Sequence, residues 1–201
     1  KGEPNRRALS EKDMEVLLNH KKINKKNEGY KMLVFSYFTV GMNFNDVCRL
    51  TWNDIRETEI HYTRQKIHHK IIIPIHPKVK AILDYYKPIT GNTPSISGLN
   101  DNYIFPILNK DFHITEQQIA DRIHKTRTQF NDYLKIIGKV AGIDVSLSSY
   151  ILRHTAITNL VRAGVTADAI MALAGHKRLS TTEGYIHEAS QQQKTKAVNM
   201  L

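Results

Sequence analysis

The amino-acid sequence predicts a mainly α-helical domain with one small antiparallel β-sheet, an α+β fold. Two observations carry that prediction. Apolar residues recur at three- and four-residue spacing through most of the 201 residues, and the period shortens to β-branched runs only between about residues 55 and 75. Glycines also stand where helical patterns stop, at Gly41, Gly164 and Gly175.

The elements follow in order. Ser10 with Asp13 makes a capping-box start, and Met14, Leu17 and Leu18 give an amphipathic helix to about His20. Lys21 to Asn27 is a polar loop, Glu28 to Val40 is apolar enough to lie in the core, and Asn43 to Leu50 is a third, short helix. Ile55, Glu59 to Arg64 and Ile71 to Ile75 read as the sheet, with Lys66 to Lys70 as its turn. Pro77 opens a helix to about Tyr86, because proline suits a first helical position. Residues 88–102 are rich in Pro, Gly, Ser and Asn and form a loop. Tyr103 to Pro106 is extended, Glu116 to about Val140 is a long basic helix, and helices near 148–163, 166–174 and 181–188 complete the body. Ser180 and Glu183 read as a capping box that places Tyr185 within the first turn or so. Residues 1–9 read as a linker, 10–188 as the body and 189–201 as a tail. That tail is polar until Ala197, Val198, Met200 and Leu201, and it either docks on a partner surface or frays.

Lysine and arginine outnumber aspartate and glutamate by 29 to 19, a net charge of +10 that favours a polyanionic partner, nucleic acid first. No apolar run approaches the roughly 20 residues that span a bilayer. The longest, Met32 to Val40, is broken by Ser36 and Thr39, and Lys1 to Arg7 lacks the apolar core of a signal peptide. A single cysteine, Cys48, excludes an internal disulfide and a thiolate-rich metal site, and points to a reducing, cytoplasmic setting. His61, His68, His69 and His76 show no metal-ligand spacing.

The chemistry-bearing residues gather near the C-terminus: Tyr150 to His154, then Gly175, His176 and Lys177, then Tyr185 nine residues past His176. An arginine on a helix pairs bidentately with phosphate, a histidine after a helix-ending glycine donates to a phosphoryl oxygen, and a tyrosine hydroxyl attacks phosphorus.

From about Arg6 to His187 this order resembles the tyrosine recombinases of the phage-integrase family, and within them the integrases of conjugative transposons. The resemblance implies the catalytic-domain fold of the DNA breaking-rejoining enzymes. It also implies a site-specific recombinase that cleaves and rejoins double-stranded DNA through a 3′-phosphotyrosyl link, with no metal or other cofactor. Tyr185 matches the nucleophile, Arg153 and His176 the groups that hold the non-bridging oxygens, and Lys66 the hairpin lysine that protonates the leaving 5′ oxygen. Tyr150 stands where the family has histidine; it still hydrogen-bonds but carries no positive charge. Asn43 occupies the place of the family's first arginine, and losing a charge-assisted pair forfeits about 1.5–3 kcal/mol. Arg64, two residues from Lys66 and so on the same strand face, is the first substitute, and Arg49 the second. Asp46 matches an acidic position that orients the basic groups, while His154 points about 100° away from Arg153 and takes a core or supporting role. The resemblance further implies a DNA-binding domain ahead of residue 1, a homo-oligomer (a tetramer on DNA, a monomer without it), and no membrane. Two alternatives stand beside it: a DNA-binding module of the same fold with weakened or lost catalysis, suggested by Asn43 and Tyr150, and a type IB topoisomerase-like enzyme.

Overall fold

Side-chain caps set where the helices begin. A computed structural model describes residues 8–66, 68–91 and 102–198. Helix α1 (Glu11–Asn19) starts at Ser10, whose Oγ accepts from the Asp13 N–H at 3.0 Å while the Asp13 carboxylate accepts from the Ser10 N–H. Helix α2 (Glu28–Phe38) starts on Asn27 and α3 (Phe44–Arg49) on Asn43, each side-chain oxygen accepting from the N–H two residues on. Helix α4 covers Pro77–Thr90, and α5 (Glu116–Val140) opens on a Thr115–Gln118 capping box. The C-terminal part is α6 (Ser149–Arg162), α7 (Ala167–Ala174) and α8 (Leu179–Val198).

Strands β1 (Glu59–Arg64) and β2 (His69–Pro74) pair antiparallel, with Tyr62 opposite Ile71 and Arg64 opposite His69. Alternation buries Ile60, Tyr62, Ile71 and Ile73 against the helices. Helix α2 is apolar nearly all round and runs through the main core, where Phe35 meets Phe105 edge-on at 4.9 Å. Replacing a fully buried phenylalanine such as Phe35 with alanine costs about 3–5 kcal/mol. A smaller cluster of Ile157, Ile170 and Ala174 joins α6 to α7, and Val40 and Tyr185 pack against it.

Several boundaries differ from the sequence reading, each for a local reason. Helix α2 stops at Phe38, and the chain turns through left-handed Val40 (φ 58°) and Gly41 (φ 66°), with the Gly41 N–H donating to the Ser36 carbonyl. Helix α4 continues through Pro88 to Thr90, whose hydroxyl accepts from Trp52 Nε1 and lies 2.9 Å from the Ile104 carbonyl. Residues 92–101 of the expected loop lie outside the described residues. Helix α8 begins at Leu179, so Ser180 is already inside the helix and not the residue before it. It then runs to Val198, because Gln191, Gln192, Gln193, Lys194 and Ala197 are all good helix formers. Most of the expected tail is therefore helix. Ala8 and Leu9, expected to end a linker, belong to the core: Leu9 is fully buried and its N–H donates to Thr155 Oγ1. Among the described residues no helix is long and apolar enough to cross a membrane.

Candidate active site

The C-terminal end of α7 gathers two guanidinium groups. Helix carbonyls there have no N–H partner in the helix and form the negative end of its dipole. Arg153 of α6 donates from Nη2 to the Ala174 carbonyl at 2.6 Å and from Nη1 to the Gly41 carbonyl at 2.8 Å. Arg64, the last residue of β1, donates from Nη1 to the carbonyls of Ala174, at 3.3 Å, and Gly175. Both arginines are thus held on the same helix end from opposite elements.

Two glycines make the approach possible. Gly41 has φ 66°, and a Cβ there would run into the Cα and side chain of Arg153. Gly175 caps α7 at φ 63°, and a Cβ there would run into Ile71 and come 3.3 Å from Arg64 Nη1.

Behind the arginines, Asp46 of α3 is buried, with Oδ1 accepting from the Gln65 N–H at 3.1 Å and Oδ2 lying 4.0 Å from Arg64 Nε. Burial raises the Asp46 pKa, against the pull of the Gln65 N–H and of Arg64, Arg153 and Arg49. Burial, and then the charge of Arg64, lowers that of Arg153, yet a guanidinium keeps its proton at any physiological pH.

His176 follows Gly175 directly. Its Nδ1 lies 2.9 Å from Thr182 Oγ1, and its ring stacks on that of Tyr185 with centroids 5.9 Å apart and planes at 12°. Burial first, then Arg153 and Arg64, lower its pKa from 6.5 to about 4, so the ring is neutral at physiological pH. Tyr185 sits in the second turn of α8, between His176 and His154, whose centroid is 5.1 Å away. Burial chiefly raises the Tyr185 pKa, with Tyr150 and Glu188 adding to the rise and Arg153 opposing it. Its hydroxyl is therefore protonated at neutral pH.

The remaining residues singled out in the sequence fall at the rim or elsewhere. Tyr150 is 52% exposed and its ring is parallel to that of His154 at 6.3 Å. His154 itself is buried, with Nε2 3.5 Å from Glu188 Oε1 and neither ring nitrogen hydrogen-bonded among the described residues. Lys66 is exposed in the turn between the strands. It does not share a strand face with Arg64, since β1 ends at Arg64 and the alternation stops there. Arg49 faces the start of α5, where its Nη2 pairs with Glu116 at 2.7 Å. Asn43 is exposed, with its side-chain oxygen occupied in capping α3. Among the described residues no three metal-ligating side chains cluster; His61 is 2.7 Å from Glu59, and His76 caps α4. Sequence reasoning missed the carbonyls of Gly41, Ala174 and Gly175 as anchors, and it missed Thr182 and Glu188.

The family model described as the phage integrase family matches residues 7–192. The tyrosine recombinase XerD of Pseudomonas putida is 25% identical over 190 residues, covering 94% of this chain and 59% of that protein. The chain spans between half and two thirds of the length of such relatives, since a tyrosine recombinase of Pseudothermotoga lettingae is covered to 55%. Among solved structures, the XerH site-specific recombinase bound to palindromic difH superposes with a TM-score of 0.70 at 18% identity, over 94% of this chain and 52% of that one. The fold is that of tyrosine recombinase catalytic domains, and, with the family model covering all but the two ends of the sequence, the chain belongs to the phage integrase family.

Proposed function

We propose that the chain is the catalytic domain of a site-specific recombinase that cleaves and rejoins double-stranded DNA through a 3′-phosphotyrosyl intermediate. One observation carries the reading: Tyr185, His176, Arg153 and Arg64 come from α8, the α7–α8 turn, α6 and β1 and meet around one helix end. Tyr185 Oη attacks the scissile phosphorus and releases its proton to solvent. The bond from phosphorus to the 5′ oxygen breaks, and the Lys66 ammonium protonates that oxygen. Arg153 and Arg64 stabilise the charge growing on the non-bridging oxygens, with neutral His176 as a further donor and Tyr150 at the rim. Asp46 orients Arg64 from behind. Arg64 thus supplies the charge that Asn43 lacks, while Arg49 is occupied by Glu116. The 5′ hydroxyl of a partner strand reverses the attack, and the active assembly is a homo-oligomer on DNA.

DNA as the partner is supported by the net charge of +10 and by the basic side chains Lys125, Arg127, Lys135 and Lys139 exposed along α5. It is supported too by the nature of similar structures, such as the XerH complex already described. A nicked suicide duplex, whose cleaved end diffuses away, tests the reading. Wild-type protein is expected to form a covalent complex stable to denaturation, and Tyr185→Phe to form none while binding DNA with nearly unchanged affinity. Adduct at wild-type yield from Tyr185→Phe would overturn the assignment. The position of Asn43 favours one other reading, a DNA-binding module without catalysis, for which wild-type protein binds the duplex but forms no adduct.

A further inference from the structure

We propose that Thr182 is a positioning residue for His176: its hydroxyl donates to Nδ1 and so fixes the imidazole as the tautomer that carries its proton on Nε2. The inference rests on His176 being a phosphate donor, as proposed for the recombinase reading. Thr182 is completely buried, and its Oγ1 lies 2.9 Å from His176 Nδ1. A buried hydroxyl needs a partner. Thr126, Thr128 and Thr155 each donate to the carbonyl four residues back in their helix, and Thr39, the residue just after α2, does the same. Thr182 lies in the first turn of α8, so its residue four back, Arg178, precedes the helix, and its hydroxyl is paired with the His176 ring where those threonines pair with a helix carbonyl. The hydroxyl proton of Thr182 is therefore available to the ring.

A neutral imidazole has one donor nitrogen and one acceptor nitrogen, and the bond made by one settles the other. His176 is held neutral by burial beside Arg153 and Arg64. With Nδ1 accepting from Thr182, Nε2–H is left to donate to a phosphoryl oxygen; the opposite tautomer would turn a lone pair toward that oxygen and repel it. Thr182 also precedes Tyr185 by three residues on the same helix, hence on the same side of it. The donor is then correctly protonated only while the helix carrying the nucleophile is docked.

Nitrogen NMR of histidine-labelled wild-type protein, free of DNA at pH 7, reads the tautomer directly, and the Nε2–H form of His176 is expected. A His176 proton on Nδ1 would overturn the proposal. In the suicide-duplex assay Thr182→Val, which keeps the shape and removes the hydroxyl, is expected to slow adduct formation by roughly 10–100-fold, the scale found when a partner orienting a functional histidine is lost. DNA affinity and Tm should stay near wild type, and Thr182→Ser should restore the rate. A Thr182→Val protein that cleaves at the wild-type rate also overturns it. Should Thr182→Val fail to fold, the wild-type tautomer and the Thr182→Ser rate still decide. Should wild-type protein form no adduct at all, the recombinase reading fails, while the tautomer in the free protein still settles whether Thr182 sets the ring.

Discussion

Arg64 is the residue that, in the proposed chemistry, supplies the charge Asn43 lacks. Its guanidinium sits on the Gly175 carbonyl beside Arg153, where the proposed reaction puts the two non-bridging oxygens that gain charge. Arg64→Ala is expected to slow cleavage by roughly 10²–10³, the effect of losing one preorganised donor. Arg64→Lys should also be slow, because an ammonium lacks the planar fork. Asn43→Ala should instead cost stability, about 1 kcal/mol for a lost helix cap, with cleavage close to wild type. Rates on the suicide duplex and urea unfolding separate the two effects; an Arg64→Ala enzyme as fast as wild type would leave the site with one arginine. His176 offers a second check at this scale. Its pKa is lowered from 6.5 to about 4 in the folded protein, so between those values the unfolded chain binds more protons and stability falls as pH falls. Urea unfolding at pH 4.5 and 7 should show a drop in wild type that His176→Gln reduces, and equal drops in both would contradict the assigned shift.

At the scale of elements, two left-handed glycines, Gly41 and Gly175, join separate parts of the chain to the site. Gly41→Ala forces φ 66° on an L side chain and drives a Cβ against the Arg153 backbone, so a loss of more than about 1 kcal/mol in urea unfolding is expected, together with slowed cleavage. Full stability and activity in that variant would show that the α2–α3 turn does not place Arg153. What was legible in the sequence was local. The Ser10–Asp13 capping box, the alternation of β1 and β2 and the span of α5 all depend on neighbours within a few residues, whereas the order of Tyr150, Arg153, His176 and Tyr185 was readable only as a resemblance to a family. What was not legible depended on distance along the chain. Arg64 and Gly175 lie 111 residues apart, and no periodicity announces that a strand-end arginine will meet a helix end. For the same reason Arg49 could not be set aside before its pairing with Glu116 was seen, nor Leu9 moved from linker to core before its bond to Thr155. The early start of α8 has a different cause. Ser180 and Glu183 fit a capping box by spacing, but the helix begins upstream of both.

For the whole molecule, if DNA is the partner as proposed, a net charge of +10 predicts that binding releases many counterions and that their release drives much of the affinity. The binding constant is expected to fall steeply, linearly on logarithmic axes, between low and physiological salt, and a nearly flat line would point away from a phosphate-reading surface. Charge alone gives affinity without chemistry; covalent capture distinguishes a recombinase from any other basic protein. The most direct measurement is therefore peptide mapping by mass spectrometry of wild-type protein trapped on the nicked suicide duplex. The residual nucleotide is expected on a single tyrosine, Tyr185, linked to the 3′ side of the break. Attachment at another residue, or a cleaved duplex with no attached protein, would contradict a phosphotyrosyl mechanism at Tyr185.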